Sequence, residues 1–202
     1  MKRSASRHRI LLFWCAACMI ITACRPICAQ SAKHLWALHN DTYDVVYDTR
    51  YHVPLAVTWV LRPQDFSVTR KRVTKYFKAD SRVPKPRVKD ADYRNSGYMR
   101  GHCCPAADRT ATKAMQKETF IMTNIAPMTA ALNCGQWATL EAQSRQLAIK
   151  YDSVRITVVS HYLANDSIYI GRGLIRVPSH YSREIRVAKN DSLIDIYLVP
   201  NR

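Results

Sequence analysis

Residues 97–145 constrain the fold of this chain more than any other stretch. They contain GYMRGHCCPAAD, then ETFIMTNIAP, then LNCGQWATLEAQSR. Three polar signatures are each joined to a strand or helix pattern. Arg100-Gly101-His102 follows Ser96-Gly97-Tyr98-Met99, Asn124 follows the alternating run 119–123, and Asn133 opens a run carrying Trp137, Leu140, Glu141 and Arg145. The alternation predicts strands over 97–102 and 120–123. The helical period predicts one helix over 133–150, with Trp137, Leu140, Leu147 and Ala148 on its apolar face. Asn133 is placed to cap that helix, with Gly135 in its first turn. At 3.6 residues per turn, positions 133, 137, 141 and 145 drift by about 40° per step. The amide of Asn133 and the carboxylate of Glu141 therefore project from one side. Glu141 and Arg145, four apart, are neighbours on that side.

The rest of the chain supplies strands around this window. Runs 43–47 (YDVVY) and 53–61 (VPLAVTWVL) are β-branched and aromatic and read as two strands. Runs 154–159, 167–177 and 193–199 read as further strands. Residues 30–42 show no period and read as an exposed lead-in. Residues 62–95 are rich in Arg, Lys, Asp and Pro and read as a long loop, of the length that is usually functional or disordered. No internal repeat is present. The 202 residues suffice for one domain with a sizeable core, which we place at 30–202. The fold class expected is α+β, with a mixed, mostly antiparallel sheet.

Charge narrows the partners. The chain has 31 Lys+Arg against 15 Asp+Glu, a formal net charge of +16. Residues 1–29 hold five of the cations and no acid, so 30–202 keeps 26 against 15. A surplus of that size suits an anionic partner, nucleic acid before any other, or marks a merely soluble basic protein. The loop contributes Arg70-Lys71-Arg72, Lys75 and Lys78, a cluster suited to phosphate contact.

The first 29 residues read as an export signal: a basic start, then a 12-residue apolar core, 10–21, too short to span a bilayer. Cleavage after Ala29 would free a secreted chain. Ile21-Thr22-Ala23-Cys24 also matches a lipobox, with Cys24 as a lipid-anchored N-terminus. The expectation is an exported protein, secreted, periplasmic or lipid-anchored. Disulfides are permitted there. Cys103 and Cys104 adjoin His102 and Cys134 adjoins Asn133, so they are either bridged or small buried thiols. Adjacent cysteines do not match zinc-ligand spacing.

Arg100-Gly101-His102, then Thr123-Asn124 with Pro127, then Leu132-Asn133 with Gly135, Trp137, Leu140 and Glu141 resemble the motifs of the DNA/RNA non-specific endonucleases. That family's pattern is D-R-G-H, T-N-x-x-P and L-N-x-G-x-W-x-x-L-E, and its site is a ββα-metal (His-Me) finger. The resemblance runs loosely from about Tyr43 to the C-terminus. Met99 departs from it, standing where the family has Asp. Ser160-His161-Tyr162 departs too, where relatives carry Gly-Pro. The resemblance implies a ββα-metal finger on the sheet, His102 as general base and Asn133 as sole direct protein ligand of the metal. It also implies arginines at the phosphate, with Arg72 as the best match in the loop.

The residue chemistry is consistent with that. Histidine's ordinary pKa lies nearest neutrality, which suits a general base. A hard cation, Mg²⁺ or Mn²⁺, takes oxygen ligands and keeps waters, so one amide oxygen from Asn133 can hold it. Glu141 can bond a water of that cation. Arg100, Arg145 and Arg72 offer forks to phosphate, and Lys75 a point charge. Asn124 is either a turn residue bonding backbone or a substrate contact. Two functions follow. One is an exported endonuclease reading the DNA and RNA backbone and not the bases. The other is a weak or inactive relative that only binds nucleic acid.

Overall fold

The β-branched runs of the sequence form the middle of a six-stranded sheet. The computed structural model describes residues 33–73, 76–165 and 167–202, and every element lies in the unit Leu35–Arg202. Strands β1 (Leu35–His39), β2 (Asp44–Asp48), β3 (Val53–Leu61), β6 (Val154–His161), β9 (His180–Val187) and β10 (Leu193–Pro200) lie side by side in that order. Each neighbouring pair is antiparallel. Two short pairs stand apart, β4 (Met99–His102) with β5 (Ile125–Met128) and β7 (Tyr169–Ile170) with β8 (Ile175–Arg176). Helix α1 spans Lys113–Glu118 and α2 spans Trp137–Tyr151. The expected α+β class is met. Among the described residues the one parallel feature is an isolated bridge, Lys78 with Ile121.

Burial follows the alternation. Val57, Trp59 and Leu61 of β3, Val154, Ile156 and Val158 of β6, and Tyr181 and Ile185 of β9 turn to one face and are buried. Against that face sit Trp137, Leu140 and Ala148 of α2. Each such side chain contributes about 1.5–3 kcal/mol. Among the described residues, no helix is long and apolar enough to cross a membrane.

Four expectations change. Residues 35–39 form an edge strand, not a lead-in; their half-exposed pattern hid the period. Residues 180–187 form a strand that alternation alone misses, because its middle inward position is Arg183. That guanidinium is fully buried. It lies 5.2 Å from the Trp59 ring and 5.4 Å from the Trp137 ring, and its Nε donates to Ser144 Oγ at 3.0 Å. Residues 120–123 are not a strand: Met122–Asn124 is a 3₁₀ turn, and the strand begins at Ile125. Finally, helical backbone begins at Ala130. The cap is Thr129, whose Oγ1 accepts the Leu132 N–H at 3.2 Å. Asn133 is therefore not a cap. It lies in a π-turn, Leu132–Gln136, whose Gly135 leaves helical geometry. Such wide turns recur at functional sites because they redirect side chains.

Candidate active site

The finger is built from β4, β5 and α2. Strands β4 and β5 pair with Met99 opposite Met128 and His102 opposite Ile125. Gly101 is required by the close approach of the strands, since any side chain there would overlap Met128. The hairpin is tied to the sheet at Pro127, whose carbonyl accepts Tyr181 Oη at 2.7 Å and Asn201 Nδ2 at 2.9 Å. Helix α2 is tied to the hairpin at the candidate base itself: Trp137 Nε1 donates to the His102 carbonyl at 3.1 Å.

His102, Asn133, Glu141 and Arg72 line one open cleft of about 360 Å³. The His102 ring stands edge-on to Phe120, centroids 4.9 Å apart, and 5.5 Å from Phe77. Its Nε2 is buried without a hydrogen-bond partner. Burial and the Arg72 guanidinium push the imidazole down to about 3. It is therefore neutral, with an available lone pair, throughout the neutral range. Glu141 moves the other way. Burial, with Asp108 nearby, raises its carboxyl to about 7, against the pull of Arg183 and Arg145. The group titrating near neutrality is Glu141 and not His102, the reverse of what ordinary pKa values suggest.

The arginines divide. Arg72 lies 4.6 Å above the Phe120 ring and 5.7 Å from Phe77, and no carboxylate pairs with it among the described residues. Arg100 lines a smaller chamber with His102 and Asn133, but its Nε pairs with Asp90 Oδ1 at 2.6 Å and its Nη2 donates to the Asp90 carbonyl at 2.8 Å. Two of its three nitrogens are thus turned to Asp90. Arg145 corrects the expectation outright. It does not pair with Glu141 but turns inward to Asp108 Oδ1 at 2.9 Å, and Trp59 Nε1 donates to the other oxygen at 3.2 Å. Asp108 is fully buried, so it demands a cation more strongly than half-buried Glu141.

Of the two readings of Asn124, the turn residue that bonds backbone is the one met, and the substrate contact is not. Asn124 is fully buried. Its Oδ1 accepts the Cys104 N–H, and its Nδ2 donates to the Cys104 and Thr119 carbonyls, all at 2.9 Å. It braces the turn beneath His102 and meets no substrate. Lys75 lies outside the described residues. Cys103, Cys104 and Cys134 are free thiols, the first two buried, so there is no bridge among them. Met99 faces the metal-ligand candidate: its Sδ accepts from Asn133 Nδ2 at 3.7 Å and from Cys134 Sγ at 3.6 Å. With its nitrogen turned to the sulfur, the amide presents its oxygen elsewhere. Arg70, Thr110 and Gln116 also line the cleft, the first from the expected basic cluster and the other two not foreseen. Only the basic cluster around Arg70 gave a signal.

The donor set suits a hard, hydrated cation. Asn133 and Glu141 supply oxygen, and no group of three or more His, Cys, Asp or Glu that could hold a metal occurs among the described residues. A cation that keeps several waters needs no fuller cage.

Comparison with known proteins agrees with this geometry. The family model for DNA/RNA non-specific endonucleases matches residues 29–201. Human mitochondrial endonuclease G is 30% identical over 174 residues, covering 80% of this chain and 59% of that protein. The mitochondrial nuclease of Saccharomyces cerevisiae is 32% identical over 167 residues, covering 71% and 51%. The chain thus spans half to six-tenths of the length of these relatives. A chain of the crystal structure of the EndoG/EndoGI complex superposes with TM-score 0.73 at 28% identity, covering 87% of this chain and 80% of that one. These relatives also overturn the expectation of export, and with it the anchor at Cys24, since they are named mitochondrial. A basic, acid-free leader is common to export and organelle-targeting segments, so the composition of residues 1–29 does not separate them. Those residues lie outside the described structure. By its family match and its finger, the chain belongs to the DNA/RNA non-specific endonucleases.

Proposed function

We propose that residues 30–202 form one nuclease domain that hydrolyses phosphodiester bonds of DNA and RNA with a divalent cation, Mg²⁺ or Mn²⁺. The family match supports a metal-dependent nuclease. The observation that carries the mechanism is the convergence of His102, Asn133, Glu141 and Arg72 on one cleft, with His102 Nε2 buried and unpartnered. A buried nitrogen without a partner is costly unless something binds there in function.

Neutral His102 takes a proton on its imidazole from the attacking water. The Trp137 bond to its carbonyl and the flanking Phe120 ring hold the imidazole in place. Proton acceptance places a positive charge beside Arg72, so it is favoured when a phosphate has come to sit against Arg72. Asn133 offers its amide oxygen to the cation. Glu141, once ionised, accepts hydrogen bonds from water in the cleft. The cation supplies neutralisation of charge on the phosphate and on the leaving 3′ oxygen. Arg72 contacts the phosphate, and Arg100 does so with what its pair with Asp90 leaves free.

A supercoiled plasmid incubated with the protein and Mg²⁺ should be nicked and then degraded, and chelation should stop it. Binding without nicking at any Mg²⁺ or Mn²⁺ concentration would instead support the reading of a nucleic-acid-binding relative, for which Met99 is the motivating departure.

A further inference from the structure

A groove of about 620 Å³ opens between residues 89–96 and the turn joining β7 to β8. Three exposed cations line it, Lys89, Arg94 and Arg172. Among the described residues Asp92 is the one acid in its wall, and both of its oxygens are engaged. One accepts the Lys89 backbone N–H at 2.8 Å and the other accepts Arg172 Nη2 at 3.1 Å. Asp92 is buried, whereas the Arg172 side chain is 82% exposed. The carboxylate thus fixes the guanidinium from below and leaves its outer edge to solvent.

The backbone is shaped to present that arginine. Gly171, Arg172 and Gly173 have φ of +59°, +64° and +78°. Arg172 holds a left-handed conformation that a residue with a side chain rarely adopts. A Cβ at Gly171 would come within 2.8 Å of the Asp92 Cβ, so only glycine lets the turn lie against Asp92. Tyr169, also exposed, adds a ring to the lining. Cations beside an open aromatic face match a nucleic-acid strand, whose phosphates meet the charges and whose bases stack.

One turn connects the groove to the chamber at Arg100. The 3₁₀ turn Asp90–Tyr93 carries Asp90 toward Arg100 of the catalytic chamber and Asp92 toward Arg172 of the groove. Ser96 lines the groove and Tyr98 lines the chamber. Two residues of chain span at most about 7 Å, roughly two nucleotides of rise along a strand at 3.4 Å each.

We propose that this groove is a second backbone subsite, holding phosphates of the same strand a few nucleotides from the bond cut beside His102. The inference rests on the nuclease reading above but is tested separately from it. Binding and cleavage of a 30-base-pair DNA duplex would be measured beside cleavage of a dinucleotide too short to reach both places. The variants are Lys89→Ala/Arg94→Ala, whose side chains make no ion pair among the described residues, and Arg172→Ala, which also frees Asp92. On the duplex, the double variant should raise KM by about fivefold, as expected from the loss of exposed ion pairs. It should lower the slope of log K against log salt by about 1 for each phosphate that is no longer neutralised. Dinucleotide cleavage should be unchanged. An unchanged duplex KM and salt slope would overturn the proposal. So would an equal loss on both substrates, which would mean damage to the catalytic cleft. If Arg172→Ala fails to fold, the double variant still decides. If the parent cuts neither substrate, the nuclease reading fails while the salt slope still reports on the groove.

Discussion

Glu141→Gln should make the protein more stable at high pH and leave it unchanged at low pH. The folded carboxyl is raised from 4.5 to about 7, chiefly by burial. Each pKa unit corresponds to 1.36 kcal/mol, so ionising Glu141 in the folded chain costs about 3 kcal/mol. The sign follows from linkage. Between pH 4.5 and 7 the folded state holds the proton and the unfolded state has released it, so stability falls as pH rises. Above the folded pKa the penalty is complete. The glutamine variant keeps the shape and has no such penalty. Urea denaturation in chelator, at half-unit steps from pH 4 to 8.5, measures the difference. The variant should match the parent near pH 4 and exceed it by about 3 kcal/mol at pH 8. Adding Mg²⁺ at pH 8 should recover part of that difference in the parent and not in the variant. Two curves that stay parallel across the range would refute the reasoning, because Glu141 would then titrate as an ordinary exposed carboxylate.

Three further outcomes follow. Asn133→Ala should raise the Mg²⁺ concentration needed for half-maximal cleavage as well as lower the rate, which a metal titration reads directly. Asn124→Ala should cost about 2–4 kcal/mol in denaturant midpoint analysis, because it leaves the buried Cys104 N–H without its acceptor. Met99 is 38% exposed, so Met99→Asp should be tolerated and should give Asn133 a stronger acceptor. Its cleavage rate should rise or hold with an unchanged thermal midpoint, and a slower enzyme with the parent's midpoint would contradict this.

The site was legible in the sequence where local geometry decides it. Asn133 and Glu141 both line the cleft with His102, although the π-turn at 132–136 interrupts the regular helix spacing expected to bring them together. The middle strands were legible because β6 alternates buried residues throughout and β3 does so from Val57 on. What escaped depends on long-range partners. Arg145 left its helix neighbour for Asp108, 37 positions away, which no local rule shows. For Asn124 the backbone-bonding role was foreseen but its partner, the Cys104 backbone 20 positions away, was not. Strand β9 was hidden by Arg183, whose burial makes sense only once Trp59 and Trp137 stand on either side of it. The pKa order of His102 and Glu141 likewise depends on burial that residue type alone does not show.

The most direct test of the account is the cleavage rate of His102→Ala. The substitution removes the base and no proposed metal ligand, so Mn²⁺ and duplex DNA should bind as in the parent. Single-turnover cleavage should fall by about 10²- to 10⁴-fold, the usual range for loss of a general base. A His102→Ala protein that cuts a plasmid as fast as the parent would contradict the assignment of His102 as the base.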